Sequence, residues 1–117
     1  MKAIYKFNMG YPYSNQIGMF IAEKEYIDYL IDNECEVYFG ELDGKHSEVM
    51  EIMQDWMFTE VTDDPFVIKM FDENNLTIGL NPLLQDYDIL VDAEHNEWYS
   101  SSWLEHIKKE LNDRPAQ

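Results

Sequence analysis

Ala3, Tyr5 and Phe7 alternate with Lys2, Ile4, Lys6 and Asn8, which is the two-residue period of a strand. An aromatic, turn-rich segment follows, Met9-Gly10-Tyr11-Pro12-Tyr13-Ser14-Asn15, and residues 16–22 are again apolar. A second strand there completes an N-terminal hairpin. The period then lengthens. Tyr26, Ile27, Leu30 and Ile31 recur at helical spacing, with Glu23 and Glu25 at the start, where the helix dipole favours anions. The pattern predicts a helix over 23–32, ended by Asn33.

Alternation returns at Cys35, Val37 and Phe39, set between Glu34, Glu36 and Tyr38, and predicts a half-buried strand. Asp43-Gly44 is a hairpin turn pair and places the return strand over 47–53. Val49, Ile52, Met53 and Trp56 also fit a helical stripe, but the turn directly before them favours a strand. Another strand is expected over 57–62. Asp64-Pro65 reads as N-cap and first helical residue. Phe66, Val67, Met70 and Phe71 form the buried face of that helix, and Asn74-Asn75 stop it. Residues 76–85 are irregular around Gly79 and Pro82, and 87–91 form a short strand. Ser102-Trp103-Leu104-Glu105 matches a capping box and opens a last helix with Trp103, Leu104, Ile107 and Leu111 turned inward. The expected fold is α+β: a small single domain over 1–117, mostly antiparallel sheet with two or three helices.

Composition changes this picture in one respect. Of 117 residues, 45% are hydrophobic and 15% aromatic, enough for a packed core and unlike a disordered acidic tail. Yet 24 acidic residues face only 8 basic ones, a formal net charge of −16. A folded surface must carry that excess. It repels nucleic acid and anionic membranes and attracts basic protein surfaces and cations. The single cysteine allows no internal disulfide. The N-terminus lacks the apolar run of a signal peptide, and no stretch approaches 18 apolar residues. A cytoplasmic location is expected.

The residues that carry chemistry do not assemble into a known pattern. Cys35 stands between two glutamates, and carboxylates disfavour a thiolate, so it reads as a small buried apolar residue. Ser100, Ser101 and Ser102 have no nucleophile-elbow context and read as a loop and a helix cap. His95 and His106 belong to no H-x-x-x-H pair, no EF-hand repeat occurs, and phosphate-binding glycine motifs are absent. No catalytic residue, metal site or cofactor is expected. The alternative is a cation- or small-ligand-binding module, built on Asp92, Glu94 and His95 or on Asp43 and His46 beside the hairpin turn.

What remains is the placement of the charge. Between Glu41 and Glu97 there are fifteen acidic residues against Lys45 and Lys69. Aromatics rimmed by acids suit a basic partner, because the ring supplies area and the carboxylates steer. Candidate partner-binding residues are Glu34, Glu36, Glu41, Asp43 and Glu48 around the central hairpin. The second half adds Asp86, Asp88, Asp92, Glu94 and Glu97, with the aromatic pair Trp98 and Tyr99. Alternate positions on one strand face lie about 6.8 Å apart, so Glu34 with Glu36, or Asp86 with Asp88, can imitate a row of phosphates. The stretches Val37-Tyr38-Phe39-Gly40-Glu41 and Gly44-Lys45-His46-Ser47-Glu48-Val49 resemble short segments of small phage and bacterial proteins, a resemblance that implies no activity. The expected function is therefore a small acidic, non-enzymatic binding protein. An inhibitor from a phage or mobile element, which mimics nucleic acid and blocks a basic host protein, fits this size and charge.

Overall fold

The alternating N-terminal segment forms β1 (Lys2–Asn8), and the apolar run after it forms β2 (Ile17–Glu23). In this computed structural model residues 1–10, 16–41, 48–92, 94 and 97–112 are described, with residues 41, 88–92 and 97–100 described by their backbone alone. β1 and β2 pair antiparallel in unbroken register, from Lys2 opposite Glu23 to Asn8 opposite Ile17. That register sets Ala3 against Ala22 and Tyr5 against Phe20, all four buried. The hairpin is therefore as the alternation requires.

Helix α1 (Lys24–Asp32) buries Ile27 and Leu30, while Tyr26 and Ile31 are only half-buried. Asn33 caps its end, and its side-chain amide donates to the Tyr29 carbonyl at 2.9 Å. Glu23 and Glu25 accept from the Met1 amino group at 2.9 and 3.1 Å, so the first acids of the helix are partly neutralised by the chain's own N-terminus. Strand β3 (Glu36–Glu41) follows, then β4 (Glu48–Ile52), and the two form a two-stranded sheet. The choice of strand over helix for the return arm is correct through Ile52. The Asp43-Gly44 turn lies outside the described residues. A short 3-10 turn (Asp55–Met57) leads into β5 (Phe58–Thr62).

Helix α2 (Pro65–Glu73) starts as expected, with the Asp64 carboxylate accepting from the Phe66 N–H at 2.9 Å and Pro65 in the first turn. Its buried face differs from expectation. Only Phe71 is buried, while Phe66 and Met70 are 76% and 48% exposed. The helix meets the sheet along one narrow line, and the i, i+4 pair Phe66–Met70 lies off it. After β6 (Ile78–Gly79) and a 3-10 turn (Pro82–Leu84) come β7 (Asp86–Asp92), β8 (Glu97–Ser102) and α3 (Trp103–Asn112). β8 is a strand that serine-rich composition concealed: Ser100 and Ser101 are not a loop but pair with Asp88 and Tyr87. Ser102 still caps α3, its hydroxyl accepting from the Glu105 N–H at 3.2 Å. Trp103 and Ile107 are buried, and Leu104 and Leu111 half-buried.

The architecture is α+β with three α-helices, and every strand pairing with a described register is antiparallel. The elements gather into two compact units, each drawn from two stretches of chain. The first, residues 1–35 and 52–81, holds α1, α2 and a four-stranded sheet in the order β5-β1-β2-β6. Its core is built on Ala3, Tyr5, Phe7, Phe20, Ile27 and Leu30. The second, residues 36–51 and 82–117, holds the β3–β4 ribbon, the β7–β8 hairpin and α3, around Val37, Phe39, Val49, Leu83, Trp103 and Ile107.

Two glycines close the edge of the larger sheet. Gly18 and Gly79 face each other across β2 and β6. A Cβ on Gly18 would overlap the Leu80 carbonyl, and one on Gly79 the Ile17 carbonyl, with Gly79 also at a φ of +68°. These contacts are backbone on backbone and cannot be relieved by a rotamer change. Gly18→Ala is therefore expected to destabilise the protein by about 1–3 kcal/mol, read as a lower denaturation midpoint. A midpoint equal to the parent's would mean that β6 does not pack against β2 in this register.

Candidate functional site

The strand β3 is two-faced by sequence and by structure. Cys35, Val37 and Phe39 are buried at 7%, 0% and 8% exposure, while Glu36 and Tyr38 face water. On β4, Val49 is buried and Glu48 and Met50 are exposed on either side of it. The outward face of the ribbon therefore carries two carboxylates, Glu36 and Glu48, with Tyr38 and Met50 beside them, 38% and 52% exposed. β3 also lies against β7, at whose start Asp86 is exposed. Among the described residues Glu36, Glu48 and Asp86 have no cationic partner.

The remaining predicted residues fall as follows. Asp86 and Asp88 occupy alternate positions of β7, opposite Ser102 and Ser100. The register slips between Leu90 and Asp92, so the two-residue repeat does not run on to Asp92. Instead Asp92 lies opposite Glu97, a like-charge pairing that weakens a ladder. Glu94 is exposed in the connection between the strands. Trp98 and Tyr99 are in β8 opposite Leu90 and Ile89, and Glu41 ends β3. Asp43 lies outside the described residues, as do His46 and His95 of the alternative cation site. Glu34 stands apart: it precedes β3 at a φ of +48°, so the strand interval expected between it and Glu36 does not exist. The structure thus brings Glu36 and Glu48 onto one ribbon face and Asp86 and Asp88 onto one strand. Among the described residues there is no continuous row of carboxylates.

Each unit pairs part of its charge: the first has eleven acidic residues against four basic ones, and in the second Lys108 lies 4.0 Å from Glu105. Lys24 is held between Glu60 at 3.1 Å and Asp63 at 3.0 Å. The lysine keeps the Asp63 carboxyl below its ordinary range. Lys69 lies 3.8 Å from Glu73 along α2. Such exposed pairs are worth about 0–1 kcal/mol each, but they mute the local field. The second unit has thirteen acidic residues against four basic ones.

Burial pushes the Cys35 thiol up to about 11, and the cause is desolvation rather than the adjacent glutamates. Its Sγ lies 3.9 Å from the Tyr29 carbonyl. Tyr87, Trp103 and His106 form one aromatic cluster, with the His106 ring stacked on Tyr87 at 3.8 Å and edge-on to Trp103 at 5.8 Å. Burial there lowers the proton affinity of His106. The cluster ties α3 to β7 and is structural. No group of three or more metal-ligating side chains exists among the described residues, and none of the described helices is long and apolar enough to cross a membrane.

Sequence reasoning missed the apolar half of the ribbon face. Tyr38 and Met50 are the outward partners of Val37, Phe39 and Val49, so the alternation already contained them. No protein-family model matches the chain, and no curated protein or solved structure matches it significantly.

Two outcomes follow from these ionisations. In the native protein Cys35 is expected to resist iodoacetamide at pH 8 and to react fully once unfolded. Labelling at equal rates in both states would place the thiol at the surface. As pH falls below about 6.5, the unfolded chain takes up a proton at His106 before the folded chain does. Stability is therefore lost on acidification through that window, and His106→Phe should flatten that part of the slope in denaturation series from pH 7.5 to 5. An unchanged slope would remove His106 from the pH response.

Proposed function

We propose that the chain is a non-enzymatic binding protein that docks a basic protein surface through the second unit. The observation that supports this reading is the β3–β4 face, where Glu36 and Glu48, unpaired among the described residues, flank exposed Tyr38 and Met50. Desolvating Tyr38 and Met50 supplies contact free energy, and the carboxylates set orientation and association rate. Asp86 and the acids of the β7–β8 hairpin extend the negative field beside that face.

The narrower proposal is that the target is a nucleic-acid-binding protein and that the acidic face occupies its basic groove, as an inhibitor carried by a phage or mobile element would. The supporting feature is the field rather than a matched lattice of charges, since the row Asp86–Asp88 is interrupted before Asp92. A protein working in this way acts where its target acts, in the cytoplasm. It needs no cofactor.

The partner is first captured from native cells and identified by mass spectrometry, and its binding kinetics are then measured. The association rate should fall steeply between low salt and about 0.5 M, because the attraction is screened within roughly 10 Å already at 0.1 M. A rate that stays flat would sink the acidic-face reading. Neutralising one acid, as in Glu48→Gln, should cost about 0.2–1 kcal/mol of binding. Neutralising Glu36, Glu48, Asp86 and Asp88 together should cost several times more with the circular dichroism spectrum unchanged. A single carboxylate whose loss alone abolishes activity in a folded variant would point to an enzyme instead. Excess DNA should compete for the same target, and simultaneous binding of both would exclude mimicry.

A further inference from the structure

In the first unit, Lys6, Asn8, Gly10, Trp56, Met57 and Thr59 line an open groove of about 370 Å³. Its floor comes from the β1–β5 pairing, where Lys6 lies directly opposite Thr59. Asn8 is two residues along β1, on the same side as Lys6. Trp56 is 57% exposed but fixed. Its indole N–H donates to the Gln54 side-chain oxygen at 3.1 Å. Its ring lies against Gly10, where a Cβ would come within 2.7 Å of two ring carbons. Gly10 is itself set at a φ of +77°, and its N–H donates to Asn8 Oδ1 at 2.8 Å. Gly10 and one hydrogen bond, from the indole N–H to Gln54, thus hold an indole with an open face.

The polar groups beside that face share one character. The Lys6 ammonium, the Asn8 amide N–H2 and the Thr59 hydroxyl can all donate. The lining contains no carboxylate, in a chain with 24 of them. Among the described residues Lys6 has no acidic partner, whereas Lys24, Lys69 and Lys108 each have one. A fixed ring face next to a donor set without acids suits a flat ring that bears an anionic group. The net charge of −16 opposes any anion at long range, where charges beyond about 10 Å are screened at 0.1 M salt. Asp55 and Glu60, chain neighbours of Trp56 and Thr59, lie nearer but are not in the lining.

We propose that this groove is a binding site for a small aromatic anion, stacked on Trp56 with its acidic group at Lys6. The site is independent of the acidic face of the second unit, and either can stand without the other.

The test is a titration of the isotopically labelled protein with 2-naphthoate, followed through the Trp56 indole N–H and the Gly10 amide by NMR. Neutral 2-naphthalenemethanol and cationic 2-naphthylmethylamine serve as matched controls. Saturable shifts are expected with naphthoate, weaker ones with the alcohol and none with the amine. Lys6→Gln should weaken naphthoate by about two- to fivefold while leaving the alcohol unchanged. Trp56→Ala should weaken both aromatic ligands by at least about fivefold. Amide dispersion checks the fold of each variant. No saturable shift at millimolar naphthoate, equal response to the amine, or a Lys6→Gln variant that binds like the parent would each overturn the proposal.

Discussion

Twenty-four carboxylates and eight cations cannot be paired off, so the fold has to keep the surplus in water. A buried carboxylate without a partner costs several kcal/mol, and the described residues contain no buried polar or charged side chain. A strand that carries acids and reaches a core must therefore hold them on one face and apolar residues on the other. β3 does so across Glu36, Val37, Tyr38 and Phe39, and β4 across Glu48, Val49 and Met50. The same constraint limits the helices. α1 buries only Ile27 and Leu30 among its acids, and α3 only Trp103 and Ile107. Thin contact lines of this kind leave apolar residues outside, which is why Phe66 and Met70 on α2 remain exposed.

The fold was largely legible for this reason. Alternation is a strong signal when polar and apolar residues differ as sharply as Glu and Val, and it located β1 and β3, while the Asp43-Gly44 pair decided for a strand at β4. Caps read from single residues also held, since Asp64, Asn33 and Ser102 each make the hydrogen bond their position demands. The failures have physical causes as well. β8 was hidden because serine has no preference for either face, so Ser100-Ser101-Ser102 shows no period. β6 was hidden because two residues carry no period at all. Its pairing rests on Gly18 and Gly79, whose role is the absence of a side chain. The buried stripe assigned to α2 assumed that a helix packs with its whole apolar face, whereas the sheet meets it only near Phe71.

The functional surfaces were legible in part. Charge pointed to the acids, but the spacing argument treated residues 34 and 36 as one strand. The left-handed backbone at Glu34 ends the turn after α1 and starts β3 one step later. On β7 the interval between Asp86 and Asp88 is real, and the slip before Asp92 is invisible without the partner strand. Composition directed attention to what is abundant. The groove beside Trp56 is defined by what its lining lacks, a carboxylate, and the Lys6–Gly10 and Trp56–Thr59 segments are too far apart in the chain for any window to join them.

The two surfaces differ in how the surrounding chain holds them. On the β3–β4 ribbon Glu36, Glu48 and Met50 are placed by the pleat, beside Val37 and Val49, which pack. Such a face presents charge and apolar area at fixed spacing but leaves the carboxylates free to adjust, as steering requires. Trp56 is instead held at both edges, by Gln54 and by Gly10, before any ligand arrives. Preorganisation of that kind lowers the entropy lost on binding and serves a small ligand, which offers few contacts to offset it. The ribbon face therefore suits the proposed protein partner better than a small ligand, and the indole groove the proposed compact ring.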